Sequence, residues 1–70
     1  MEEIKASMAG SIWQIHVRVG DQVTKGQDVV ILESMKMEIP IATESTGIVK
    51  EMKMAEGDFV NEGDVILVIE

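Results

Sequence analysis

The 70-residue chain has no cysteine, which excludes a disulfide framework, a thiolate metal site and a cysteine nucleophile. It has no tyrosine and only two aromatic residues, Trp13 and Phe59. Bases would find no stacking platform here. The core has to be aliphatic, built from Val, Ile, Leu and Met. Positive charge is scarce: six Lys and Arg against thirteen Asp and Glu leave a net charge of −7. Such a surface repels a phosphate backbone and excludes nucleic acid as a partner. No long apolar run exists. The longest, VILVI at 65–69, falls far short of the roughly 20 residues a membrane-spanning helix needs. The opening MEEIKASMAG is acidic where a secretory leader is basic and then apolar. These absences point to one cytoplasmic, soluble domain over residues 1–70, without a membrane partner and kept monomeric by its charge. That length lies near the lower limit for folding without staples.

What the chain does have is an internal repeat. Shifted by 37 positions, GSIWQIHVRVGDQVTKGQDVVILE (10–33) falls on GIVKEMKMAEGDFVNEGDVILVIE (47–70) without a gap. Six positions are identical: Gly10/Gly47, Gly20/Gly57, Asp21/Asp58, Val23/Val60, Gly26/Gly63 and Glu33/Glu70. Apolar positions match too: Ile12 with Val49, Ile15 with Met52, Val17 with Met54, and VVIL (29–32) with ILVI (66–69). Each copy carries G-D-x-V-x-x-G, in which turn residues surround one inward valine. The runs at 28–33 and 64–69 are short, β-branched and bounded by turn signals, as buried strands are. No i, i+3, i+4 stripe persists long enough for a helix of three turns.

The expected strands are 3–7, 11–17, 22–24, 28–34, 37–42, 47–54, 59–61 and 64–69. The fold class is all-β: a flattened barrel or sandwich of two quasi-symmetric four-stranded halves, packed face to face because neither can bury its apolar side alone.

The matched copies end at Glu33 and resume at Gly47, so SMKMEIPIATEST reads as the linking segment. Near its start Lys36 lies between Met35 and Met37, at the turn joining two strands. Gly, Asn and Asp are the easy residues for such a turn; a lysine is not. A lysine displayed there is maximally exposed and minimally involved in packing.

The stretches ESMKMEIP (33–40), GIVKEM (47–52) and EGDFVNEGDVIL (56–67) resemble the biotinyl/lipoyl attachment domain family over essentially the whole chain. The M-K-M triplet, with Glu33 before it and E-I-P after it, is similar to the biotin-accepting branch; lipoyl domains carry D-K. The match extends to the small free-standing members of the family, with S-M-K-M in place of the more common A-M-K-M. The resemblance implies a barrel-sandwich hybrid, without the thumb some biotin carriers insert, because 17–29 is no longer than its counterpart 54–66. It also implies that Lys36 is biotinylated by a biotin protein ligase and carries carboxyl groups between carboxylase and carboxyltransferase components. Met35 and Met37 would then be flanking recognition residues, and Glu33 would aid ligase recognition or hairpin positioning. A lipoyl carrier, or one accepting both biotin and lipoate from the respective ligases, is the alternative. A third reading, of another class, is an unmodified structural adaptor on the same scaffold.

Plainer readings stand beside these. Met35 and Met37 could be ordinary strand-end hydrophobes. The recurrence of Glu33 as Glu70 argues partly for a structural role. Pro40 suits an edge or a kink. His16 points outward between two inward apolar residues and has no partner for a metal, and Trp13, out of phase with Ile12, is partly exposed. GDQVTKG lacks the spacing of a phosphate loop. No nucleophile–base pair or metal cluster appears, so the chain is expected to be a carrier rather than an enzyme.

Overall fold

Turn chemistry organises this chain. In R-V-G-D (18–21) the amide of Asp21 donates to the carbonyl of Arg18 at 3.0 Å, and Gly20 has φ +96°. Positive φ at the third residue defines a type II turn, which glycine enters without steric cost. The Asp21 side chain then accepts from the Arg18 amide at 3.0 Å and closes the turn a second time. T-K-G-Q (24–27) repeats the device with Gly26 and the Gln27 side chain. The second copy does the same at 55–58 and 61–64, with Asp58 and Asp64 closing their turns. G-D-x-V-x-x-G is therefore two type II turns bracketing a very short strand.

The computed structural model describes residues 1–70 and contains eight strands: β1 (Glu2–Lys5), β2 (Gly10–Ile15), β3 (Gln22–Val23), β4 (Asp28–Ser34), β5 (Met37–Ala42), β6 (Gly47–Met52), β7 (Phe59–Val60) and β8 (Val65–Ile69). They form two antiparallel four-stranded sheets, in the orders β1-β8-β6-β3 and β5-β4-β2-β7. All eight expected strands are present, several shorter than expected, and there is no helix.

Two expectations about the repeat are corrected. The copies do not pack face to face as separate halves. Each sheet takes two strands from each copy, so the copies interlock. Paired hydrogen bonds fasten them: the Ile12 amide donates to the Asp58 carbonyl at 2.8 Å, and the Val49 amide to the Asp21 carbonyl at 2.9 Å. The segment 34–46 is also more than a linker. The expected strand 37–42 is there as β5, and it belongs to the second copy: it falls on β1 under the same 37-residue shift, with Ile41 over Ile4 and Thr43 over Ala6, all four buried. The sequence similarity there was too thin to reveal this, since Ile4/Ile41 is the only identity between the two strands.

The interior is one aliphatic cluster of fourteen residues drawn from both copies, including Ile12, Val23, Val29, Val30, Leu32, Val49, Val60, Ile66, Leu67 and Ile69. Strict alternation cannot bury both Val29 and Val30, or both Ile66 and Leu67. Register shifts between Asp28 and Val30, and between Ile4 and Lys5 opposite β8, resolve the conflict. Equivalent bulges at Trp13 and Lys50 let Ile12 and Ile15, and Val49 and Met52, face inward three residues apart. Methionine, expected in the core, is absent from it. Met52 and Met54 are only partly buried and cover one open side with Ile15 and Val17. The interior is filled by Val, Ile and Leu with Ala6, most of them stiff β-branched side chains.

The edges are blunted. β3 and β7 have two residues each, and β5 carries Pro40 on its edge, as expected. The Thr43 hydroxyl is buried but donates to the Ser45 carbonyl at 2.8 Å, and no buried side-chain polar atom lacks a partner.

Val23 and Val60 occupy equivalent, fully buried places in one shared core. Val23→Ala and Val60→Ala should each cost about 2 kcal/mol. Urea unfolding should show comparable losses and a single transition in both, because neither copy melts alone.

Candidate functional site

β4 and β5 form the hairpin that ends in Lys36. Leu32 is fully buried and Ile41 nearly so, which anchors both strands in the core. The register runs Ile31–Pro40, Leu32–Ile39, Glu33–Glu38 and Ser34–Met37, leaving Met35 and Lys36 as a two-residue loop. β2 supports the base through the Ser11–Glu33 pair. Gly10 makes that approach possible: a Cβ there would lie 2.7 Å from the Glu33 carbonyl oxygen and 3.2 Å from the Ser34 Cβ. The repeat identified Gly10 as a matched glycine, but its place beneath the hairpin was legible only in three dimensions.

Met35 has φ +52° and Lys36 has φ +64°, and they are the only residues other than glycine with positive φ. Two successive residues of this kind make a type I′ turn, whose twist matches that of the flanking strands. Asn-Gly is the easy solution; Met-Lys is not, and the left-handed region costs a non-glycine residue on the order of 1 kcal/mol or more. The next pair adds to that cost, since Glu33 and Glu38 oppose each other across the ladder and like charges in register repel. Two locally unfavourable choices therefore surround one lysine.

Lys36 is exposed and belongs to none of the ion pairs, which join Lys5 to Glu3, Lys50 to Glu70 and Lys53 to Glu51. Met35 is 91% exposed and Met37 62%. Met35 projects in the loop, and Met37 is the outward first residue of β5, paired with Ser34. Glu33 is exposed in the pair below. None of the three surface depressions is lined by residues 33–38. His16 faces outward, its Nε2 3.1 Å from the Gln14 side-chain oxygen. Trp13 and Phe59 are both outward on the sheet that carries the hairpin, and the repeat partner of Phe59 is the polar Gln22.

A rigid β scaffold, one free ammonium group at a costly turn and no cavity around it make up the build of a carrier domain, which displays a side chain for other proteins to load and visit. Comparison with known proteins gives the same answer. The chain belongs to the biotin/lipoyl attachment family: residues 2–69 match the family described as "Biotin-requiring enzyme". It is 64% identical over 64 residues to the Biotin/lipoyl attachment protein of Bacillus subtilis (strain 168), covering 91% of this chain and 88% of that one. It is 43% identical over 68 residues to the Biotinylated protein TB7.3 homolog of Mycobacterium leprae, covering 97% and 96% respectively. The crystal structure of the Kluyveromyces lactis Urea Carboxylase superimposes with a TM-score of 0.91 at 33% identity over 99% of this chain, which spans 6% of that much longer protein.

Replacing Met35-Lys36 with Asn-Gly should relieve the turn and raise stability by about 1–2 kcal/mol. Thermal unfolding of the double variant against the original chain measures the local cost of placing a lysine there.

Proposed function

We propose that this chain is a biotin carrier in which Lys36 is the attachment residue. The observation that carries the reading is the exposed, unpaired Lys36 held at the tip of a strained but well-anchored hairpin. A biotin protein ligase supplies the activated acyl group, and the Nζ of Lys36 becomes an amide nitrogen, with loss of one positive charge. The domain need not activate the amine. It has to present the amine at a fixed place, which the type I′ turn, the buried Leu32 and the close approach of Gly10 accomplish together.

Biotin supplies the capacity to take up and release a carboxyl group. The chain's own contribution is location. An arm tethered to a rigid tip meets a partner's active site at an effective concentration of order mM when the linkage reaches. The partners are components of biotin-dependent carboxylases, and the visited domain acts as a monomeric, cytoplasmic carrier without a catalytic site of its own. Met35 and Met37 offer soft, adaptable contacts to those partners. A lipoyl arm on the same lysine is the second reading, favoured by the double name of the Bacillus subtilis relative.

Intact-mass spectrometry after incubation with biotin, ATP and a biotin protein ligase should show one biotinyl adduct, mapped to Lys36. Lys36→Ala should melt as the original chain does and take up none. A lipoyl adduct with a lipoate ligase, on the same residue, would establish dual acceptance. A folded chain that accepts neither group from active ligases is incompatible with the carrier reading.

A further inference from the structure

The two sheets act as internal controls on one another, because the repeat gives each outward position of one sheet a counterpart in the other. An outward residue that is apolar in one sheet and polar in the other is not required by the fold; Ile48, 44% exposed with Ser11 as its counterpart, is the one such large residue on the opposite sheet. Trp13 is 45% exposed, and its counterpart is the exposed Lys50. Phe59 is 65% exposed, and its counterpart is the exposed Gln22. The chain's only two aromatic residues thus break the symmetry in the same sense, on the same sheet, and that sheet carries Lys36.

Their places are continuous with the hairpin. Phe59 pairs with Ser11, Ser11 with Glu33, and Glu33 with Glu38, which makes one row across the sheet just below the tip. Two strand spacings, about 10 Å, separate the backbones of Phe59 and Glu33. Trp13 stands two residues farther along β2. Charge breaks the symmetry as well. The four strands of this sheet hold Asp28, Glu33 and Glu38 and no Lys or Arg. Those of the other sheet hold Glu2, Glu3 and Glu51 together with Lys5 and Lys50.

We propose that this face is the docking surface for the ligase that acylates Lys36, which seats an apolar recess over Trp13 and Phe59 and sets cationic side chains against Glu33 and Glu38. The inference rests on the reading of Lys36 as the attachment residue. Reach selects the ligase over the later partners. Before acylation the target nitrogen is no farther from the barrel than one lysine side chain. The enzyme that modifies it must touch the tip and lie against a neighbouring face. After acylation the added arm holds the body of the domain away from a visited active site, and that requirement relaxes.

The test is the steady-state rate of biotin transfer by a biotin protein ligase, with biotin and ATP, to the full chain. Trp13→Lys and Phe59→Gln each install the residue that the repeat partner already carries, so the fold has a precedent for both. In the double variant the KM for the domain should rise about tenfold or more, with kcat little changed and the melting temperature retained. Ile48→Ser makes a similar exchange on the other sheet, at the counterpart of Ser11, and should leave the kinetics as they were. A kcat/KM for the double variant within about twofold of the original overturns the proposal, as does an equal loss in Ile48→Ser. If Trp13→Lys lowers the melting temperature, Phe59→Gln alone, on the two-residue β7, is judged by the same criterion. An original chain that takes no biotin overturns the attachment reading, and this inference with it. An original chain that is biotinylated beside equally good variants overturns the inference alone.

Discussion

Everything in this domain depends on a core that neither repeat owns. Each copy supplies two strands to each sheet, and the buried residues of both meet in one aliphatic cluster. A chain of this size has little apolar surface to spend on stability. Interlocking lets 37 residues of pattern serve twice, with the same turns, the same bulges and the same cross-copy hydrogen bonds. The hairpin is anchored in that core, since β4 lies between β2 and β5 and its Leu32 is fully buried.

Much of this was legible in the sequence because the information lay in turns. The matched Gly-Asp and Gly positions located β3 and β7 although each has only two residues, and one inward valine per copy was enough to give their orientation. The bulges were present as a conflict: Ile12 and Ile15 cannot both face inward on a regular strand, and a reading that took their spacing literally would have required an extra residue between them. The pairing of β5 with β1 was hidden because packing preserved little more than an isoleucine and a small buried residue, while Pro40 and Glu3 diverged on exposed edges. Methionine was misplaced for a geometric reason. Composition names the hydrophobes available, but their places along the strands decide which are enclosed: Met52 and Met54 fall at the margin of the cluster.

The site was legible in position and only partly in character. Lys36 between two methionines at a strand junction was enough to place the hairpin. That both Met35 and Lys36 take positive φ could not be read from residues that ordinarily avoid it. Glu33 illustrates the remaining limit: its recurrence as Glu70 follows from the repeat, while its face-to-face opposition with Glu38 comes from the hairpin register. Local preference and global fold disagree at Met35 and Lys36, the only residues other than glycine with positive φ.

The 37-residue shift also has a topological meaning. A loop in register with the β4–β5 hairpin would occupy the four positions that follow Glu70 under the same shift. Those four correspond to Ser34, Met35, Lys36 and Met37. The domain is in effect a two-arc ring with Lys36 at one of its hairpins, while β1 and β8 lie side by side, Glu2 opposite Ile69, where the other would be. Joining Glu70 to Met1 through Ser-Met-Lys-Met would close the circle and set a second lysine hairpin opposite the first, the two exchanged by the pseudo-twofold.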